Sequence, residues 1–129
     1  MGKYPDSNLL NEYSNWHLAR CGTKSYLTDS DINLVGFPFI YRLWVEVRDV
    51  AGLLKPVAVL DIKSMQDNII PTISSRCWYD WLESNKMPVY IVQIEGKFET
   101  FHVQRWCSKE VRIMNEEKYI KFIKALTLI

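Results

Sequence analysis

Residues 56–63 read Pro56-Val57-Ala58-Val59-Leu60-Asp61-Ile62-Lys63, and how this stretch is read decides the fold. It forms the return strand of a hairpin. Ahead of it, residues 39–49 (FIYRLWVEVRD) are rich in aromatic and β-branched residues and read as a long strand. Ala51-Gly52 between the two supplies the turn region. In a strand, residues two apart share a face. Asp61 and Lys63 therefore point one way, while Leu60 and Ile62 point the other way, into the core. A carboxylate and an ammonium at the end of an apolar strand are costly to bury. Such a pair is expected at a sheet edge or lining a site.

The elements on either side follow from spacing. Residues 7–21 read as a helix capped by Ser7, with Leu9, Leu10, Tyr13 and Trp16 at helical spacing and Gly22 as its stop. Asp31 to Val35 alternates as a short strand. Downstream, Pro71 opens a second helical pattern through Ile73, Cys77, Trp78, Trp81 and Leu82, closed by Asn85 and Pro88. Residues 89–94 (VYIVQI) form the nearly continuous apolar run of a strand buried on both faces. After Gly96, residues 97–107 alternate and pair with that strand as a hairpin. Residues 115–127 form a last helix, capped by Asn115, with Glu116 and Glu117 at the positive end of its dipole. The order is helix, three strands, helix, two strands, helix. Strands joined through a crossover helix predict an α/β fold, a mixed central sheet with helices on its faces.

At 129 residues the chain suits a single domain spanning residues 1–129. Its 48% hydrophobic and 24% charged residues are the balance of a globular protein. The net charge of +1 argues against tight, sequence-blind binding to phosphates. Three cysteines without a CxxC pair fit a reducing compartment, and two widely separated histidines make a zinc site a poor expectation. The start MGKYPDSNLL has no apolar h-region, and no apolar run reaches the length of a membrane span. A cytoplasmic location without membrane contact is expected.

The Asp61-Ile62-Lys63 triplet resembles the (D/E)xK half of the PD-(D/E)xK nuclease motif. Ser30-Asp31-Ile32-Asn33-Leu34 resembles its first half, with Ser30 where many members carry proline. The helix–strand–strand–strand–helix–strand order is similar to the αβββαβ core of these restriction-endonuclease-like proteins. The resemblance covers residues 7–107. It implies a metal-dependent endonuclease that hydrolyses phosphodiester bonds, with DNA as its partner and a homodimer bringing two sites to two strands. It further implies that Asp31 and Asp61 hold Mg²⁺ or Mn²⁺ and that Lys63 orients the attacking water. Glu12, on the first helix, takes the place of the auxiliary glutamate of many members. Some members carry the first acid just before the long second strand. Here that region reads Tyr41-Arg42-Leu43-Trp44, so under that alignment Arg42 replaces the ligand and Glu46 and Asp49 are the remaining acids. The alternative function is a catalytically degenerate protein of this fold that binds nucleic acid or a protein partner.

Other residues have plainer readings. The five tryptophans could stack on bases, but packing is the expected use. The three cysteines are expected as small apolar residues. The scattered lysines and arginines, including Lys118, Lys121 and Lys124 along the last helix, are expected as solvated surface.

Overall fold

The structure, a computed structural model, describes residues 7–21, 25–28, 33–34, 37–38, 43–65, 73–108 and 110–127. Three helices, α1 (Ser7–Arg20), α2 (Ile73–Ser84) and α3 (Glu116–Thr127), accompany eight strands. The strands are β1 (Ser25–Thr28), β2 (Asn33–Leu34), β3 (Phe37–Pro38), β4 (Leu43–Val50), β5 (Leu53–Ser64), β6 (Val89–Glu95), β7 (Thr100–Arg105) and β8 (Val111–Asn115). Six of them form one sheet in the order β1-β4-β5-β6-β7-β8, and β2 pairs with β3 separately. Among the described strands only β5 and β6 run parallel; the other neighbouring pairs are antiparallel. The parallel pair is joined through α2, because a parallel return needs a crossover and the 2-residue turns of hairpins cannot supply one.

The β4–β5 hairpin turns at Ala51 and Gly52, with φ of 54° and 85°. Positive φ at both central positions matches the right-handed twist of the strands. Gly52 takes this conformation at no steric cost, but Ala51 does not, since a Cβ in the left-handed region costs about 1 kcal/mol or more. Ala51→Gly is therefore expected to raise stability by roughly 0.5–1 kcal/mol, read as a higher urea midpoint with unchanged slope. Further along, the register steps from Glu46 opposite Ala58 to Val47 opposite Pro56, so Val57 is the extra residue of a bulge. That bulge explains how Pro56, which lacks an N–H, sits inside a strand with neighbours.

The strand alternation divides the core between the two sheet faces. On one face Leu60, Ile62, Val92, Ile94, Phe101 and Val103 pack against Leu10, Tyr13 and Trp16 of α1 and Tyr119 and Ile123 of α3. Aromatic rings dominate this layer, with Phe101 and Tyr119 stacked at 4.0 Å between centroids. On the other face Val45, Val47, Val59, Val89 and Ile91 pack against Tyr79 and Leu82 of α2 and Trp106. Asn115 caps α3 as expected, its Oδ1 accepting from the Lys118 N–H at 2.8 Å.

The mixed α/β sheet and the three helices are as expected, and several strands differ. Of the two places expected for the Asp61–Lys63 pair, a sheet edge or a site lining, the central position of β5 removes the first. The strand expected over residues 97–107 occupies Thr100–Arg105, because Gly96 and Phe98 take positive φ in a turn. Residues 111–115, Ser25–Thr28 and Phe37–Pro38 form strands that the sequence reading left out, and the strand expected over Asp31–Val35 is found at Asn33–Leu34, paired with Phe37–Pro38 outside the main sheet. Cys77 and Cys107 are exposed, whereas burial pushes the Cys21 thiol up to about 11. The tryptophans pack as expected: Trp16, Trp44 and Trp106 are buried, and Trp78 and Trp81 lie against the α2 layer. Asp31, Gly22, Pro71 and Arg42 lie outside the described residues, as does the side chain of Asp49.

Candidate active site on the α2 face of the sheet

Asp61 and Lys63 fall near the C-terminal end of β5, on the face covered by α2. Asp61 is opposite Ile91 and Lys63 opposite Gln93 in the parallel register. The Lys63 Nζ is 3.7 Å from Asp61 Oδ2. Asp61 is fully buried, and the Lys63 side chain keeps 19% of its surface. A carboxylate at this depth requires hydrogen-bonded company. Tyr79 supplies it, its buried hydroxyl donating to Asp61 Oδ2. Tyr79 thus joins the site from α2, a residue the sequence reading did not single out.

Tyr79 is positioned by the way α2 is moored. Glu83, one turn further along the helix, accepts from Arg105 Nε at 2.8 Å and from Arg105 Nη2 at 2.9 Å. The Val89 N–H donates to the same carboxylate at 3.1 Å. Asp80 accepts from Trp106 Nε1 at 2.7 Å. Two-pronged guanidinium–carboxylate pairs fix orientation as well as proximity. These bonds pin α2 to the start of β6 and the end of β7, and so aim Tyr79 at the end of β5.

Partial burial pushes the Glu83 carboxyl up, but the Arg105 bonds and the Val89 N–H outweigh it and hold it below its ordinary value. A group with a depressed folded-state value stabilises the protein above its unfolded-state value. That contribution is lost as the pH falls through the folded one. Glu83→Gln is therefore expected to flatten the acid side of the stability–pH curve below about pH 5, measured by urea unfolding at stepped pH.

Glu46 belongs to the opposite face. Its carboxylate is 2.8 Å from His17 Nε2 through Oε2 and accepts from Trp44 Nε1 at 2.8 Å, with all three groups buried. Next to them the Tyr13 and Tyr119 hydroxyls are 2.7 Å apart. Burial, above all, pushes both phenols well above 10. This is a polar knot that ties α1 and α3 to β4, with the sheet between it and Asp61. Glu46 is thus not a companion ligand of Asp61. Glu12 is on α1, which packs on that same opposite face, and its side chain is exposed. The structure brings Asp61 and Lys63 together and does not bring Glu12 to them.

Comparison with protein-family models, with curated proteins and with solved structures finds no match for this chain. No helix among the described residues is long and apolar enough to cross a membrane. Nor do the described residues contain a group of three or more His, Cys, Asp or Glu placed to hold a metal ion. A Mg²⁺ ion is typically held by one or two carboxylates together with water and substrate phosphates. Asp61 is one carboxylate with Lys63 beside it, and it is fully buried.

Proposed function

We propose that this chain is a metal-dependent nuclease of the PD-(D/E)xK type that hydrolyses phosphodiester bonds in DNA. One observation carries the reading: a same-face Asp-x-Lys pair at the C-terminal end of a central strand, where the sheet changes from antiparallel to parallel pairing. The chain order around it supports the same reading. A mixed sheet in which α2 crosses from β5 to the parallel β6, after the antiparallel run β1-β4-β5, supports it, although β2 and β3, between β1 and β4 in the chain, pair outside that sheet.

In this reading Asp61 contributes one carboxylate to the cation, and Asp31, outside the described residues, contributes the other. A bound Mg²⁺ supplies charge neutralisation at the phosphate and lowers the pKa of a bound water. Lys63 orients the attacking water and donates to the negative charge that builds on the phosphate oxygens. Tyr79, donating to Asp61 Oδ2, fixes the carboxyl rotamer. The test is incubation of the wild-type protein with supercoiled plasmid, single-stranded DNA and a branched junction, in Mg²⁺ or Mn²⁺ against an EDTA control. Metal-dependent cutting is expected, and intact DNA in every arm would contradict the reading.

A second reading rests on a separate observation. Asp61 is fully buried under Tyr79, and Glu46 is committed to the other face. A protein of this fold that binds nucleic acid or a protein partner without cutting needs no cation site. Such a protein would retain DNA in a mobility-shift assay in EDTA and leave it uncut.

A further inference from the structure

The β4–β5 hairpin runs beyond the strands beside it. Among the described residues β1 pairs with β4 only over Leu43–Glu46, and β6 with β5 only over Val59–Ser64. Residues 47–56 therefore pair only with each other, as a two-stranded ribbon. The three residue steps from Val47 to Val50 carry this ribbon roughly 10 Å past its neighbours. Arg48 stands directly opposite Lys55, and Val50 directly opposite Leu53. Residues two apart in a strand share a face, so these four make one surface: two cations, then two apolar side chains toward the turn. Leu53 keeps 69% of its surface and Val50 37%, and neither belongs to an apolar layer of the core. Asp49, the one acid of the ribbon, stands opposite Leu54, out of step with the cation pair.

The two cations lack compensation. Like charges directly opposite each other destabilise a pair of strands. Among the described residues no carboxylate forms an ion pair with Arg48 or Lys55. Arg48 Nη1 is buried without a hydrogen-bond partner, and a stranded donor of this kind is costly. An anion laid across the pair removes the repulsion and gives the guanidinium an acceptor when it turns outward. The bare Leu53 and Val50 beside it call for apolar surface next to that charge. Duplex DNA offers both. Its major groove, about 12 Å wide, admits a two-stranded ribbon between its phosphates, and the thymine methyl groups on its floor are apolar.

We propose that the ribbon of residues 47–56 is a DNA-gripping arm that enters the major groove of the duplex. Arg48 and Lys55 meet phosphates, and Val50 with Leu53 packs on base edges. The arm takes DNA as its partner from the nuclease reading and adds to that reading the part of the molecule that holds the duplex. It makes no contact with the Asp61–Lys63 pair, so its signature is in affinity rather than in the rate of cutting.

The test measures fluorescence anisotropy of a labelled duplex of about 20 base pairs, two helical turns, in EDTA at stepped salt. Wild type is compared with Arg48→Ala, Lys55→Ala and Leu53→Ser, each checked by thermal melting. The two alanine variants are expected to raise Kd about tenfold and to flatten the salt dependence by about one counterion each. Leu53→Ser is expected to raise Kd about tenfold with the salt dependence unchanged, since an apolar contact releases no counterion. Lys118→Ala, on the exposed side of α3, serves as the unaffected control. Unchanged Kd in all three arm variants would overturn the arm. So would a wild type that ignores the duplex and instead sediments with phosphatidylserine vesicles through Leu53. Cutting is assayed separately in Mg²⁺. Cutting with unchanged binding in the arm variants would overturn the arm and leave the nuclease reading standing. Arm-dependent binding without cutting would support the arm and overturn the nuclease.

Discussion

Glu46→Ala is expected to destabilise the protein by about 3 kcal/mol or more, because truncating one partner of a buried pair strands the other. The carboxylate meets His17 Nε2 at 2.8 Å and accepts from Trp44 Nε1 at 2.8 Å, and neither donor has water to turn to. The loss is large against the roughly 5–15 kcal/mol that holds a domain together. For a chain of this length it corresponds to a melting temperature lower by about 10 °C. The same variant, measured where it is still folded, is expected to keep kcat within a few-fold of wild type. Its carboxylate faces α1 and α3, while Asp61 faces α2. A Glu46→Ala protein of unaltered stability that failed to cut would reverse that assignment and make Glu46 part of the site.

Lys63→Ala is expected to have the opposite profile. The side chain is partly exposed and belongs to neither apolar layer, but its removal leaves the buried Asp61 carboxylate without this cation, so a loss of about 1–3 kcal/mol is expected, smaller than for Glu46→Ala. Its charge is 3.7 Å from the carboxylate that anchors the site. Removing a single donor aimed at developing negative charge typically slows catalysis by about 10²–10³-fold. The expected loss in kcat for DNA cleavage is of that order. Lys63→Arg, which keeps the charge but changes its geometry, is expected to recover only part of it. The two variants together separate fold from chemistry: Glu46→Ala melts earliest and cuts, Lys63→Ala melts above it and does not.

The local chemistry of the chain was readable in its sequence, and its long-range pairings were not. Alternation in residues 59–63 correctly put Leu60 and Ile62 on the core side and Asp61 with Lys63 on the other. Helical spacing found all three helices, and Asn115 announced its own cap. The position of β5 inside the sheet could not be read, because strand order is set by packing between elements far apart in the chain. The His17–Glu46 pair joins residues 29 positions apart and depends on α1 crossing β4 at one height. Tyr79 escaped notice because Trp78 and Trp81 dominate the apolar pattern of that helix, whereas its hydroxyl is what matters. Strand β8 was missed because exposed residues of both kinds blur its alternation, although Val111 and Ile113, two β-branched residues two apart, were a usable sign.

The most direct test of the nuclease assignment is the time course of plasmid cleavage by wild type and Asp61→Asn in Mg²⁺, with EDTA as the blank. Asparagine keeps the shape of the side chain and an oxygen for the Tyr79 hydroxyl, so the fold is expected to survive, as a melting curve would show. Cutting by wild type that EDTA stops, with at least a hundredfold loss in a folded Asp61→Asn, is the expected result and matches about 2.7 kcal/mol of transition-state stabilisation. Equal rates in the two proteins, or no cutting by either, would contradict the account.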